Sequence, residues 1–142
     1  MQERLERTAS GLTLGTIGRI TRPVTDIKRA EIWYKEVLGL THLYTFDKLA
    51  FFDCGGIRLM LEERSLEHRS IGGVPDCPYE SVVHFRVADI HDAYDELCRR
   101  GARFSGTPSM LGKHPDGTEE WIAFFKDCEG GPLAIMSQVK PA

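Results

Sequence analysis

The stretch from residue 24 to residue 30 reads Val-Thr-Asp-Ile-Lys-Arg-Ala, and it returns at residues 87–93 as Val-Ala-Asp-Ile-His-Asp-Ala. In both copies an apolar strand-like run ends at a valine. An aspartate follows at a position from which it can cap the free amides of a helix. Asp26 and Asp89 are 63 residues apart in a chain of 142 residues. The repeat therefore predicts one structural module that occurs twice.

Each aspartate begins a segment with apolar residues at helical spacing, and each segment ends at a glycine, Gly39 or Gly101. Three strand-like runs follow each helix, at 41–46, 49–53 and 57–62 in the first copy and at 102–105, 120–126 and 132–139 in the second. This order predicts an α+β fold of two βαβββ modules. The modules are expected to form a cupped mixed sheet with helices on its outer face.

Turn residues and composition set the limits of the modules. We expect an N-terminal arm over residues 1–14, a first module over 15–63, a linker over 64–80 and a second module over 81–142. The linker is rich in turn residues and has no hydrophobic period. Because neither half can bury its apolar face alone, the two modules are expected to pack together as one domain.

The bulk composition predicts a cytoplasmic protein. The net charge of −3 favours no nucleic-acid partner, and apolar runs of four residues are too short to cross a membrane. The first residues have no signal-peptide pattern. The four cysteines fit neither a CxxC pair nor a zinc-finger spacing, which favours reduced thiols.

Alternation along the strands separates an apolar set, expected to pack on the helices, from a mixed set on the opposite, concave face. The mixed set contains three arginines, a carboxylate, a histidine and two methionines: Arg19, Arg58, Arg86, Glu62, His84, Met60 and Met136. A solvated sheet face with surface ion pairs would give the same pattern. A few polar groups set in an apolar wall favour a ligand pocket instead.

Three further segments carry a resemblance to a known family. They are Trp33-Tyr34-Lys35-Glu36-Val37-Leu38-Gly39-Leu40, His84-Phe85-Arg86-Val87-Ala88-Asp89 and Phe124-Phe125-Lys126-Asp127-Cys128-Glu129-Gly130-Gly131. With the repeat, these segments resemble the vicinal oxygen chelate superfamily of glyoxalases, bleomycin resistance proteins and extradiol dioxygenases. The last segment departs from the usual FxDPxGN pattern at Cys128 and Gly131. The resemblance implies two modules around a shared cup, a small-molecule ligand and a homodimer.

The resemblance also implies four inward positions at which metal-dependent members hold their ligands. Motif alignment maps these positions to Arg19, Met60, Val82 and Ala134. Arginine stays protonated, methionine is a soft ligand, and valine and alanine have no donor atom. We therefore expect no metal or other cofactor at the usual site. An alternative is a divalent metal at a relocated site formed by His84, His114 and Glu62.

Three functions are compatible with these residues, and the fold alone does not choose among them. The first is metal-independent action on a small organic acid. In that case the arginines hold the anion, His84 is the general acid or base, and Glu62 orients it or acts as a second base. His114 would close over the ligand, unless it is only a loop residue beside a Pro-Asp-Gly turn.

The second function is binding of a bulky drug without chemistry, on aromatic surface that includes Trp121 and Tyr44. The third is a lyase, isomerase or dioxygenase that uses the relocated metal.

Overall fold

The structure is a computed structural model that describes residues 12, 14–15, 17–64 and 81–142. The predicted N-terminal arm (1–14) and linker (64–80) lie almost wholly outside the described residues. The helices and strands in these ranges are β1 (Arg19–Val24), α1 (Ile27–Glu36), β2 (Thr41–Phe46), β3 (Leu49–Cys54), β4 (Ile57–Glu63), β5 (Val83–Arg86), α2 (Ile90–Arg99), β6 (Arg103–Phe104), β7 (Ser109–Lys113), β8 (Glu119–Lys126) and β9 (Pro132–Val139).

The two halves form mixed sheets with the same strand order. The first sheet runs β1-β4-β3-β2, and the second runs β5-β9-β8-β6 with β7 also paired to β8. In each sheet the strand before the helix is parallel to the last strand of the module. The other pairings are antiparallel. The predicted α+β fold of two βαβββ modules is therefore confirmed.

The second module has one strand more than the sequence predicted. Strands β6 and β7 both pair with β8, and together they occupy the edge that β2 occupies alone in the first module. No strand was predicted between residues 105 and 120, where the structure has β7, which ends at Gly112 and Lys113. The reason is that Gly112 and a bulge between Met110 and Gly112 weaken the strand pattern, whereas pairing with β8 stabilises the strand.

Both helices begin at the predicted caps. Helix α2 ends at its C-cap Arg100, next to the predicted Gly101, whereas α1 ends at its C-cap Val37, two residues before the predicted Gly39. The carboxylate of Asp26 accepts a hydrogen bond from the backbone N–H of Arg29 at 3.1 Å, and Asp89 caps α2 in the same way. Gly39 and Gly101 have φ angles of +72° and +97°, a left-handed conformation that ends a helix readily only at glycine. Neither helix of the described chain is long and apolar enough to cross a membrane.

One hydrophobic core joins the two modules. Strand residues that alternate with the polar ones pack against Ala30 and Tyr34 of α1 and against Ile90 and Leu97 of α2. The largest buried side chains come from both halves and include Tyr34, Phe52, Leu59, Leu61, Ile90, Phe125, Leu133 and Ile135. Burial of such side chains contributes about 1.5–3 kcal/mol each, so this shared core is a major source of stability.

A buried charged group also links the modules. Arg22 lies on the helix-facing side of β1, where its Nε donates to the Tyr34 hydroxyl at 3.0 Å and its Nη2 lies 3.3 Å from Oδ2 of Asp127. The Tyr34 hydroxyl donates to the same carboxylate oxygen at 2.7 Å. Burial raises the pKa of Tyr34 above its ordinary value, so the hydroxyl stays protonated as a donor. We call this group the Arg22–Tyr34–Asp127 clamp.

Two further contacts fix the ends of α1 against the second module. The Glu129 carboxylate accepts hydrogen bonds from the backbone N–H groups of Thr25 and Asp26 at 2.6 and 2.8 Å. At the other end, the Arg100 guanidinium donates to the backbone carbonyl of Val37 at 3.1 Å. A carboxylate at a helix start and a guanidinium at a helix end both complement the helix dipole.

Candidate functional site

Each sheet has one face that packs on a helix and one face without a helix, and the strand register decides which side chains share a face. The first helix-free face carries Arg19, Thr21, Phe46, Arg58, Met60, Phe51, Tyr44 and Glu62. The second helix-free face carries His84, Arg86, Ala134, Met136, Ile122, Phe124, Glu120 and Gln138. All seven side chains that strand alternation assigned to the concave face lie on these two faces.

An aromatic cluster occupies much of the first helix-free face. The ring centroid of Tyr44 lies 4.9 Å from that of Phe51 and 5.8 Å from that of Phe46, and the Phe46 and Phe51 centroids are 5.6 Å apart. Tyr44 is 40% exposed and Phe46 is 55% exposed, whereas Phe51 is buried beneath them. The cluster therefore presents a flat apolar surface to solvent, large enough for a ring to stack on.

Two arginines lie beside the aromatic cluster. Arg19 and Arg58 are register partners on adjacent parallel strands. The Nη1 of Arg58 donates to the Tyr44 hydroxyl at 3.2 Å, which holds the guanidinium next to the rings. Within the described part of the chain neither arginine forms an ion pair, although Asp53 is the register partner of Arg58 on β3. Their positive charges are thus available to an anion.

Glu62 pairs with a neighbouring arginine, and not with His84, within the described residues of one chain. Its carboxylate accepts a hydrogen bond from Nη2 of Arg64 at 2.8 Å, two residues along the same chain segment. The described structure contains no hydrogen bond between Glu62 and His84, because the two residues belong to different sheets. More generally, no hydrogen bond or ion pair joins the two helix-free faces within the described ranges.

His84 lies exposed on the second helix-free face. Its ring meets Phe124 edge to face, with centroids 6.0 Å apart, and both side chains stand opposite the buried Ala134. Arg86 and Met136 are register partners farther along the same strands. The second face thus combines a free imidazole and a guanidinium with an apolar floor, as expected from the sequence.

His114 lies at the tip of the β7–β8 hairpin and pairs with a residue that the sequence analysis did not single out. Its Nε2 is 2.7 Å from Oε2 of Glu120, and the side-chain amide of Gln138 donates to the same oxygen at 2.7 Å. The hydrogen bond from His114, then that from Gln138, and the nearby charge of Arg86 lower the pKa of Glu120. Glu120 therefore stays ionised on this face at neutral pH.

Replacing His114 by alanine is expected to raise the pKa of Glu120 toward its ordinary value of about 4.3. Because the folded-state pKa of Glu120 is lowered, its pairing stabilises the fold above about pH 4.3 and is lost as the pH falls through the lowered pKa. Carbon-detected NMR titration of the carboxyl groups would measure the change. Asp116→Asn, in the same turn, is the control; an unchanged Glu120 titration in the His114 variant would contradict the pairing.

Trp121 lies on the opposite side of the second sheet from the expected binding surface. It is the register partner of the buried Ser137, and its ring meets His91 of α2 with centroids 5.2 Å apart. Its indole N–H donates to Glu119 at 2.9 Å. The placement of Trp121 on the ligand-binding surface is therefore corrected: alternation through Ala123 and Phe125 puts it on the helix-facing side.

The residues at the expected metal positions do not fit a metal ion. In the register, Met60 opposes Thr21 and Ala134 opposes His84, while Val82 precedes β5. Only His84 among these residues is an ordinary metal ligand. Nor does the described structure gather any three histidine, cysteine, aspartate or glutamate side chains in a metal-binding arrangement, the relocated set of His84, His114 and Glu62 included.

Comparison with known families agrees with the module repeat. The family model described as Glyoxalase/Bleomycin resistance protein/Dioxygenase superfamily matches residues 16–133, which is most of the chain. The chain belongs to this superfamily. The matched range includes every residue of both helix-free faces except Ala134, Met136 and Gln138. A comparison with curated protein sequences found no match.

Several solved structures share the fold. A glyoxalase/bleomycin resistance protein/dioxygenase from Nocardioides is 21% identical, with a TM-score of 0.68 over 100% of this chain and 98% of that chain. A lactoylglutathione lyase from Agrobacterium tumefaciens is 18% identical, with a TM-score of 0.62 over 88% and 95%. A virulence protein from Salmonella typhimurium is 20% identical, with a TM-score of 0.68 over 89% and 98%. At these identities the similarities establish the fold alone.

Proposed function

We propose that this superfamily member binds a small organic anion that carries an aromatic group, and that it does so on the first helix-free face. The observation that carries the proposal is the exposed cluster of Tyr44, Phe46 and Phe51 beside Arg58 and Arg19. The rings offer a stacking surface, and a guanidinium can bind a carboxylate through two parallel hydrogen bonds. Contiguous exposed apolar patches on soluble domains commonly mark binding sites.

The charge of the ligand follows from the two arginines. Like charges directly opposed on neighbouring strands repel each other. The acidic register partner of Arg58 on β3, Asp53, accepts a hydrogen bond from the backbone N–H of Gly56 and forms no ion pair with Arg58 within the described residues. A bound carboxylate would neutralise this repulsion and would use donors of Arg58 that its bond to Tyr44 leaves free. An aromatic carboxylate therefore matches both halves of the surface, and no step of its binding needs a metal.

Replacing Arg58 by glutamine is expected to weaken the binding of benzoate at least tenfold, because a charge-assisted hydrogen bond contributes about 1.5–3 kcal/mol. Isothermal titration calorimetry with benzoate and with acetate would measure how much the carboxylate and the ring each contribute to the binding affinity. Wild type should bind benzoate more tightly than acetate, and Phe46→Ala should reduce that preference. Lys48→Gln, in the neighbouring β2–β3 turn, is the matched control. Equal affinities of wild type for benzoate and acetate would overturn the proposal.

A second candidate function is chemistry on the bound anion, with His84 as the group that gives or takes a proton without a metal. It is supported by the exposure of His84, by the absence of a hydrogen bond to its ring within the described structure, and by its apolar neighbour Phe124. His84 lies on a different sheet from Arg19 and Arg58. We propose that a homodimer brings them together, with the first helix-free face of one subunit opposite the second face of its partner.

The homodimer has a direct test that also reports on His84. Phe124 is 45% exposed on the second face, so Phe124→Glu should place a charge in the interface and give a monomer by sedimentation equilibrium. In the wild-type dimer, benzoate should shift the His84 imidazole signal in NMR spectra, and the monomeric variant should lose that shift. Leu111→Glu, exposed on strand β7, is the control. A monomeric wild type would contradict the dimer; an unmoved His84 signal would leave ligand binding without chemistry.

We also propose a cytoplasmic location. It is supported by the three described cysteines, Cys54, Cys98 and Cys128, which are all free thiols, as is usual in a reducing compartment. Burial raises the pKa of Cys128 to about 11 and also raises that of Cys54, so these two thiols stay protonated and unreactive at neutral pH. Fractionation of the native cells would check the location.

A further inference from the structure

A cleft of about 350 Å³ lies at the junction of the two modules, at the end of the second helix-free face to which strand alternation assigns Lys126. Trp33 of α1 forms one wall. The second module supplies the rest, with Arg103 of β6, Lys126 at the end of β8, and the Asp127–Gly130 turn. The volume is at the lower end of the range for small-molecule sites.

The cleft has two positive charges without compensation. Arg103 and Lys126 are register partners on antiparallel strands, so two like charges lie directly opposite each other. Neither side chain makes a hydrogen bond or an ion pair within the described residues. Asp127 is the acidic residue in the lining, but its Oδ2 already accepts from the clamp and its Oδ1 accepts from the backbone N–H groups of Glu129 and Gly131. The negative charge of Asp127 is therefore already balanced by the guanidinium of Arg22.

The other wall of the cleft is aromatic and held in place. Trp33 is partly exposed, and its ring meets that of Tyr34 edge to face, with centroids 5.2 Å apart and planes at 72°. Because Tyr34 belongs to the clamp, its ring position is fixed, and Trp33 packs against a rigid neighbour. The indole N–H of Trp33 has no acceptor within the described part of the protein. Cys128, with its protonated thiol, contributes a neutral surface.

We propose that this cleft binds a phosphate monoester attached to a flat ring. Two uncompensated cations match the charge of about −1.5 to −2 that such a phosphate carries at neutral pH, whereas one carboxylate would leave half of the charge unmatched. The phosphate lies between Arg103 and Lys126, and the ring packs on Trp33. This site is independent of the aromatic carboxylate site on the first helix-free face.

The experiment uses phenyl phosphate and inorganic phosphate as probes, with the full chain at physiological ionic strength. Phenyl phosphate should bind wild type by calorimetry at least tenfold more tightly than inorganic phosphate. It should also change the fluorescence of Trp33, which is isolated by Trp121→Phe. The double variant Arg103→Gln/Lys126→Gln should lose at least tenfold in affinity for phenyl phosphate and keep its affinity for benzoate. Both substituted residues are exposed, and circular dichroism would verify that the fold is intact.

Matched variants separate this site from general charge effects and from the proposed function. Lys48→Gln removes an exposed positive charge elsewhere and should leave phenyl phosphate binding unchanged. Arg58→Gln should weaken benzoate and leave phenyl phosphate unaffected. The proposal is overturned if Arg103→Gln/Lys126→Gln binds phenyl phosphate like wild type, if Lys48→Gln loses as much affinity, or if Arg58→Gln is the variant that abolishes phenyl phosphate binding.

Discussion

Replacing Asp127 by alanine is expected to lower the free energy of unfolding by about 3–5 kcal/mol, the usual effect of removing one partner of a buried ion pair. The variant leaves Arg22 as an unpaired charge that is only 9% exposed, and it removes the acceptor of the Tyr34 hydroxyl. It also frees the backbone N–H groups of Glu129 and Gly131, which Asp127 holds in the β8–β9 turn. Urea denaturation followed by circular dichroism would measure the loss.

Two variants show whether the loss comes from the broken pair. Asp95→Ala, exposed on α2, should leave stability nearly unchanged. The double variant Arg22→Met/Asp127→Asn removes both charges but keeps an acceptor for the turn amides, so it should recover most of the stability. If Asp127→Ala were no less stable than Asp95→Ala, the clamp would contribute nothing to the packing of the modules.

The fold followed from the sequence because its signals are local and occur twice. The cap at Asp26 and the glycine at Gly39 reappear at Asp89 and Gly101. Each copy is followed by strand runs whose ends lie within one residue of the observed strands, apart from β7. A pattern that two independent segments share is unlikely to arise from surface composition alone. Strand β7 was missed because its glycine and its bulge interrupt the period, and only pairing with β8 defines it.

The clamp could be foreseen only in part. Alternation of Ile20 and Val24 marks the helix-facing side of β1, and Arg22 lies between them on that side, so a buried partner for its charge was to be expected. The internal repeat does not predict the clamp, because the offset of 63 residues places the apolar Phe85 where the first module has Arg22. The partner, Asp127, is 105 residues away in sequence, and only the packing of the modules brings it close.

The candidate site, like the fold, was predictable only where the signal in the sequence is local. Seven residues of the helix-free faces were identified because a strand exposes every second side chain, a rule that needs no tertiary information. Phe46, Phe51 and Glu120 of the same faces were not identified. Contacts between strands were not identified: the Arg58 bond to Tyr44 and the pairing of His114 with Glu120 depend on register. Strand alternation alone would have placed Trp121 correctly, since it alternates in phase with the buried Phe125.

Replacing Gly131 by alanine is expected to lower the free energy of unfolding by about 3 kcal/mol, because overpacking is costly and the ion pair is displaced as well. A Cβ at this position would overlap the Arg22 guanidinium and would lie 3.0 and 3.2 Å from the two carboxylate oxygens of Asp127. The φ angle of Gly131 is not in the left-handed region, so alanine suits the backbone and the penalty comes from these contacts. Gly106→Ala, where a Cβ would meet nothing within 4 Å, is the control.

A double-mutant cycle separates the two contacts of Gly131. In an Arg22→Met background the guanidinium is gone, so Gly131→Ala should cost less than about 1 kcal/mol there, and the two substitutions should be strongly non-additive. If the cost stayed the same, the glycine would be required by the Asp127 turn rather than by the arginine. Strong non-additivity would mean that Gly131 is needed to make room for the Arg22 guanidinium beside Asp127. Glycine in place of the asparagine of the family pattern would then be coupled to the presence of arginine at position 22.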